Sequence, residues 1–168
     1  NSLQMADGWL WDVYFIDLNN GYSVGQHSDG GGWTGTILKT TNGGINWTSQ
    51  PSGAVALLHS IQFSDLNNGW IVGDEGVVLK SSNGGIDWNT QLSGTTNDLY
   101  SVYFINNTGW IVGRFGTILF TSYGGQNWNP RASGTNNEIN SVHFFNDLIG
   151  WVSGFNGNIM KTTNGGLN

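Results

Sequence analysis

The sequence predicts an all-β repeat fold, and three observations carry that expectation. An eight-residue stretch, Thr40-Thr41-Asn42-Gly43-Gly44-Ile45-Asn46-Trp47, returns in the same phase from Ser81, from Thr121 and from Thr162, at steps of 41, 40 and 41 residues. Between its copies, short apolar runs alternate with Gly- and Asn-rich turns, and no helical periodicity interrupts them. Composition agrees: 27 glycines, nine tryptophans and only 10% charged residues among 168 suit many short strands joined by tight turns. A period near forty means that each unit is one supersecondary element, which buries its faces against its neighbours.

The third repeat shows the elements in order. Residues 99–105 alternate like a strand, 106–109 form a turn, 110–113 make a second strand, Arg114-Phe115 a short loop, 116–121 a third strand, and a fourth starts at Trp128. Four antiparallel strands per repeat make a propeller blade. The expectation is therefore a β-propeller of four four-stranded antiparallel blades, a single repeat domain over residues 1–168. Val13/Phe15, Ile61/Phe63, Val102/Phe104 and Val142/Phe144 mark the first strands, and Tyr22, Trp70, Trp110 and Trp151 open the second. Apolar positions at repeat spacing are packing between blades.

Each residue of the recurring motif has a turn-building job. The hydroxyls of Thr40, Ser81, Thr121 and Thr162 and the amides of Asn42, Asn83 and Asn164 can hold the backbone of a tight turn, while Gly44, Gly85, Gly125 and Gly166 supply a positive φ. Trp47, Trp88 and Trp128 then lay a ring back on the blade. Such a ring buries roughly 150–250 Å², at most about 4–6 kcal/mol per turn. Tyr123 replaces the amide in the third copy, and the fourth ends at Asn168 before its Trp.

The pattern Ser/Thr-x-Asn-x-Gly-x-x-Trp resembles the Asp box of bacterial-neuraminidase-type repeats, with Asn at the name position in three copies. Together with the Gly-Trp-Ile-Val-Gly segments at 69–73 and 109–113 and Gly35-Thr36-Ile37-Leu38-Lys39, it is similar to the repeats of the photosystem II assembly/stability factor family and of related secreted bacterial propellers. The resemblance covers nearly the whole chain. It implies a propeller with Asp-box-like turns and, for the assembly factors, recognition through a positively charged patch, for which Arg114 stands alone at its loop tip. Sialidase kinship would imply an arginine cluster, whereas the chain has two arginines.

Charge narrows the partners. The net charge is −6, and only Lys39, Lys80, Arg114, Arg131 and Lys161 oppose eleven acids, so no basic stripe exists for nucleic acid or an anionic membrane. With no Cys there is neither a disulfide nor a thiolate metal site. No apolar run approaches the roughly 20 residues of a membrane helix, so the chain is expected not to insert in a membrane. It opens on Asn1 rather than Met, as a processed product or a portion of something longer would.

Catalytic chemistry finds little support. His27, His59 and His143 are scattered without a second ligand at metal spacing, and neither a nucleophile elbow nor a phosphate-cradling loop is present. No cofactor, metal or catalytic residue is expected. Asp74, Glu75, Asp98 and Glu138 could share a face as a glycosidase acid pair, which keeps a glycan-active hydrolase as one alternative.

Binding has better candidates. One position varies while its neighbours repeat, reading Trp11, His59, Tyr100 and Asn140, and innermost first strands would set these four around the mouth of the central channel. Trp33, Arg114, Phe115 and Phe155 lie on nearby loops, and the first repeat carries an inserted loop over residues 26–34. Aromatic and polar groups around a concave mouth suit a sugar or a peptide. The expected function is a non-catalytic extracellular or cell-surface module for protein or glycan interaction or structural assembly; the other alternative is an assembly-factor-like chaperone of a membrane complex. Residues 1–5 have the phase of a fourth strand, which could latch the last blade of the same chain or join copies head to tail.

Overall fold

Alternating side chains between glycine-rich turns give fifteen strands among the described residues, which in this computed structural model are 8–28 and 30–167. The first sheet takes β1 (Gly8–Phe15), β2 (Gly21–Ser28), β3 (Trp33–Thr40) and β4 (Thr48–Gln50). The second takes β5 (Leu58–Phe63), β6 (Gly69–Gly73), β7 (Val78–Ser81) and β8 (Asn89–Gln91), and the third β9 (Leu99–Ile105), β10 (Thr108–Gly113), β11 (Ile118–Thr121) and β12 (Asn129–Arg131). The fourth has β13 (Ile139–Phe144), β14 (Gly150–Gly154) and β15 (Asn158–Thr162). Within every sheet consecutive strands pair antiparallel in chain order, so the chain is a four-blade all-β propeller whose fourth blade has three described strands.

The blades pack through one recurring contact. Tyr22, Trp70 and Trp110 open the second strands of their blades, and each stacks on the phenylalanine that closes the next blade's first strand: Phe63, Phe104 and Phe144. The first strands follow one another through the molecule, β1 beside β5, β5 beside β9 and β9 beside β13. Around them Ile37, Leu58, Ile71, Val72, Leu99, Ile111 and Val112 are fully buried.

The motif builds the turn that its residues predict. Thr40 Oγ1 accepts the amide of Gly44 at 2.9 Å and Ser81 Oγ that of Gly85 at 2.8 Å, while the amide oxygens of Asn42 and Asn83 accept the amides of Asn46 and Asp87. Thr121 and Thr162 hold Gly125 and Gly166 in the same way. Each turn is also stapled across the blade, since the amides of Gly43, Gly84, Gly124 and Gly165 donate to the carbonyls of Asn19, Asn67, Asn107 and Leu148. Trp47 closes its own turn by donating Nε1–H to the Gly44 carbonyl.

Two expectations change. The inserted segment is largely strand: Gln26, His27 and Ser28 pair with Gly35, Thr34 and Trp33, because its polar residues simply lengthen the antiparallel ladder to a glycine-bearing tip. The two-residue loops of the other blades, expected without helix, wind into single 3₁₀ turns at Asp74–Gly76, Arg114–Gly116 and Phe155–Gly157, with Glu75, Phe115 and Asn156 at positive φ. Residues 1–5, the expected latch, lie outside the described residues.

Candidate functional site

Chain geometry gathers one set of side chains at the end of the first strands. In every blade the pairing of first and second strands slips by one residue, so that Trp11, His59, Tyr100 and Asn140 are the extra residues of four β-bulges. A bulge re-aims its side chain and bends the strand. A buried backbone contact sits beside each slip: a Cβ on Gly25, Gly73, Gly113 or Gly154 would fall about 2 Å from the carbonyl oxygen of Trp9, Leu57, Asp98 or Glu138. That close approach is why each second strand carries glycine at this place.

Three of the four bulge residues touch. The Trp11 ring lies 4.6 Å from the His59 ring, and His59 meets Tyr100 edge-on at 5.4 Å, so a continuous aromatic row crosses the first three blades. Asn140 holds the equivalent place on the fourth blade and is exposed. The base of the row is pinned between blades, because the Asp12 carboxylate accepts both Ser60 Oγ–H and the Ile61 amide at 2.9 Å.

The loops that follow β6 and β10 add charge. His59 Nε2 pairs with Asp74, and Arg114 Nη1 with Asp98 at 3.1 Å, with Glu138 at 3.9 Å from Arg114 Nε. Asp98 also accepts the amide of Glu75. Arg114 covers the ring of Phe115, which with Phe155 projects to solvent. Trp33 stacks instead on Trp9, a residue that the sequence reading passed over, at the rim of the long first hairpin. Burial pushes the Tyr100 phenol above its ordinary pKa, and the carboxylates of Glu138, Asp98 and Asp74 push it further than Arg114 can restore.

The arrangement is a partly buried aromatic row with an acidic rim. Arg114, the residue that a positively charged patch would need, is matched by two carboxylates, so the rim is not basic. Asp74 faces the His59 ring, and Asp98 and Glu138 share an arginine, so these carboxylates meet other partners rather than one another. Among the described residues no group of three His, Asp or Glu could hold a metal ion, and no helix is long and apolar enough to cross a membrane.

Comparisons with known proteins bear on the whole chain. The family model described as photosynthesis system II assembly factor YCF48 matches residues 2–93 and 52–133. Among solved structures, a YCF48 bound to D1 peptide superposes with a TM-score of 0.64 at 16% identity, over 98% of this chain and 81% of that one. YCF48 from Cyanidioschyzon merolae gives a TM-score of 0.70 at 22% identity over 92% of this chain, which spans 53% of that protein. An ancestral GH74 enzyme gives 0.61 at 17% identity, with 92% of this chain and 25% of that one covered. No curated protein sequence matches. The family match overturns the extracellular or cell-surface placement, since photosystem II assembly factors are not proteins of that location. Few charges and no cysteine suit a secreted propeller, but they suit other compartments equally.

Proposed function

Because this chain belongs to the photosynthesis system II assembly factor YCF48 family, we propose that it is a non-catalytic assembly factor that holds an extended segment of a partner protein along Trp11, His59 and Tyr100. The observation that carries this reading is the unbroken ring contact of these side chains across three blades. Flat rings offer stacking area at low entropic cost, and the polar tips of His59 and Tyr100 can bond a peptide backbone. The rim of Asp74, Glu75, Asp98 and Glu138 favours a segment bearing Lys or Arg, and it repels an acidic one. A fold neighbour holding a D1 peptide supports a peptide as the class of ligand. Carboxylates already tied to Arg114 and to the His59 ring favour binding over glycoside hydrolysis, which needs one free acid and one free base.

The test is an overlapping array of D1 peptides, followed by fluorescence anisotropy on the hits. Trp11→Ala and Tyr100→Ala should each weaken binding about tenfold or more, as loss of a central aromatic anchor does. Tyr123→Ala, in the third box turn, should leave binding unchanged. Binding that survives both substitutions in the row, or that maps to the box turns, overturns the assignment.

A further inference from the structure

Three hairpin tips beside the aromatic row share one backbone and differ in one side chain. Each tip follows the glycine that pairs across its bulge, Gly73 with Leu58, Gly113 with Leu99 and Gly154 with Ile139, so the tips stand at the same end of the blades as Trp11, His59 and Tyr100. Their central pairs are Glu75-Gly76, Phe115-Gly116 and Asn156-Gly157, with the first residue at a φ of 55–59° and the second at 69–73°. Two successive residues at positive φ make a type I′ turn, whose favoured pair is Asn-Gly. The fourth blade carries that pair. Glu75 and Phe115 stand where this backbone favours asparagine, and a bulky side chain at positive φ is an outlier.

Neither turn is placed to relax. The amides of Asp74 and Arg114 donate to the carbonyls of Leu57 and Asp98, and a Cβ on Gly76 or Gly116 would fall 2.0 or 1.9 Å from the carbonyl oxygen of Thr95 or Thr135, so each tip is clamped on the chain beside it. The two side chains gain little from the fold in return. Phe115 is 60% exposed, with the Arg114 guanidinium over one face of its ring. Glu75 is exposed, and among the described residues its carboxylate has no hydrogen-bond or ion-pair partner, whereas Asp74, Asp98 and Glu138 are all tied. Backbone strain that brings the fold no contact marks a place kept for function.

We infer that Glu75 and Phe115 set the specificity of the row, Glu75 taking a Lys or Arg of the bound segment and Phe115 an apolar side chain. This inference rests on the peptide reading and adds to it the two residues that choose the peptide. Their places suit the task. The Glu75 turn packs on β9 and bonds Asp98 just ahead of Tyr100, while the Phe115 turn packs on β13, the strand of Asn140. The free carboxylate thus stands beside the last ring of the row, and the Phe115 ring stands where the row itself gives way to an amide. An exposed charge discriminates between segments more than it holds them, and an exposed ring supplies the apolar area that Asn140 lacks.

The test takes the D1 segment that binds best and replaces each of its positions in turn by Lys, Glu, Leu and Asn, with binding measured for the unaltered chain, Phe115→Asn and Glu75→Asn. The unaltered chain should lose binding about tenfold when one apolar position becomes polar, and about two- to fivefold when one basic position becomes Glu. Phe115→Asn should erase the apolar requirement and keep the basic one; Glu75→Asn should do the reverse. Both variants should melt at or above the temperature of the unaltered chain, since each installs the residue that the fourth blade already has at this turn. A variant that melts lower shows that its side chain serves the fold, and the proposal falls. Binding that Trp11→Ala weakens, while both tip variants keep the original position requirements, leaves the peptide reading standing and overturns this one. No binding of any D1 peptide to the unaltered chain overturns both.

Discussion

Trp110 lies flat on Phe144 of the following blade, with ring centroids 3.6 Å apart and planes 11° from parallel. Its Nε1–H reaches across the same junction to the carbonyl of Gly165. One side chain therefore joins two blades through both an apolar face and a polar edge. Trp110→Ala should lower unfolding free energy by about 3–5 kcal/mol through the cavity left behind, measured by chemical denaturation. Phe145→Ala, at a side chain 76% exposed, should stay within about 0.5 kcal/mol; equal losses would count against the junction as the main source of stability.

The third box turn lacks a part that two others have. Asn42 and Asn83 accept a backbone amide four residues on, and Tyr123 offers no side-chain amide oxygen at that place. Restoring it by Tyr123→Asn should raise stability by about 0.5–1.5 kcal/mol, the net worth of one hydrogen bond. A melting temperature that falls instead would show that the tyrosine ring, 70% exposed, contributes more than the bond.

Close approach at the bulges predicts a sharp contrast between two glycines. Gly73→Ala would bring a methyl to 2.0 Å from the Leu57 carbonyl and should unfold or severely destabilise the chain. Gly53→Ala meets no atom within 4 Å and bears only its positive φ, a cost of about 1–2 kcal/mol. Expression yield and thermal melts of the two variants decide this.

Acid should loosen the second blade's first turn. Partial burial pushes the Asp65 carboxyl up, but hydrogen bonds from the Asn68 side chain and the Asn67 and Asn68 amides outweigh it and hold the carboxyl below its ordinary 3.8. A carboxyl held below its unfolded value stabilises the fold above that value, and the contribution is lost as pH falls through the folded one. Asn146 already does the same work with an amide, accepting the Leu148 and Ile149 amides. Asp65→Asn should thus keep stability near neutrality and flatten its decline between about pH 5 and pH 2; an unchanged acid limb would place the titrating group elsewhere.

The repeats, blade order and box turns were legible because the side chains that make them recur at fixed spacing. The slip at Trp11, His59 and Tyr100 was legible only as variation, although a sharper signal was present. In Leu58-His59-Ser60-Ile61-Gln62-Phe63 the buried apolar residues Leu58, Ile61 and Phe63 are spaced three and then two apart, and an odd step inside a strand requires a bulge. Trp9 gave no such signal, for its place against Trp33 depends on how far the long first hairpin extends its ladder. Nor could the exposure of Trp151 be read: Trp151 and Trp110 sit in the same local motif, yet Trp110 is buried under Phe144 and Trp151 is 36% exposed.

Successive blades linked by single aromatic pairs should not open all at once. Taken as these four blades on their own, the array gives its end units one neighbour and its middle units two, so opening starts at the ends and its free energy rises inward. Backbone amides of β6 and β10 would exchange with deuterated solvent most slowly, and those of β1 and β15 soonest. A peptide lying across Trp11, His59 and Tyr100 would bridge the fraying first blade to the two behind it. The slowing of exchange on binding would then be largest in β1 and β2, so that the partner tightens the weakest unit of the chain that holds it.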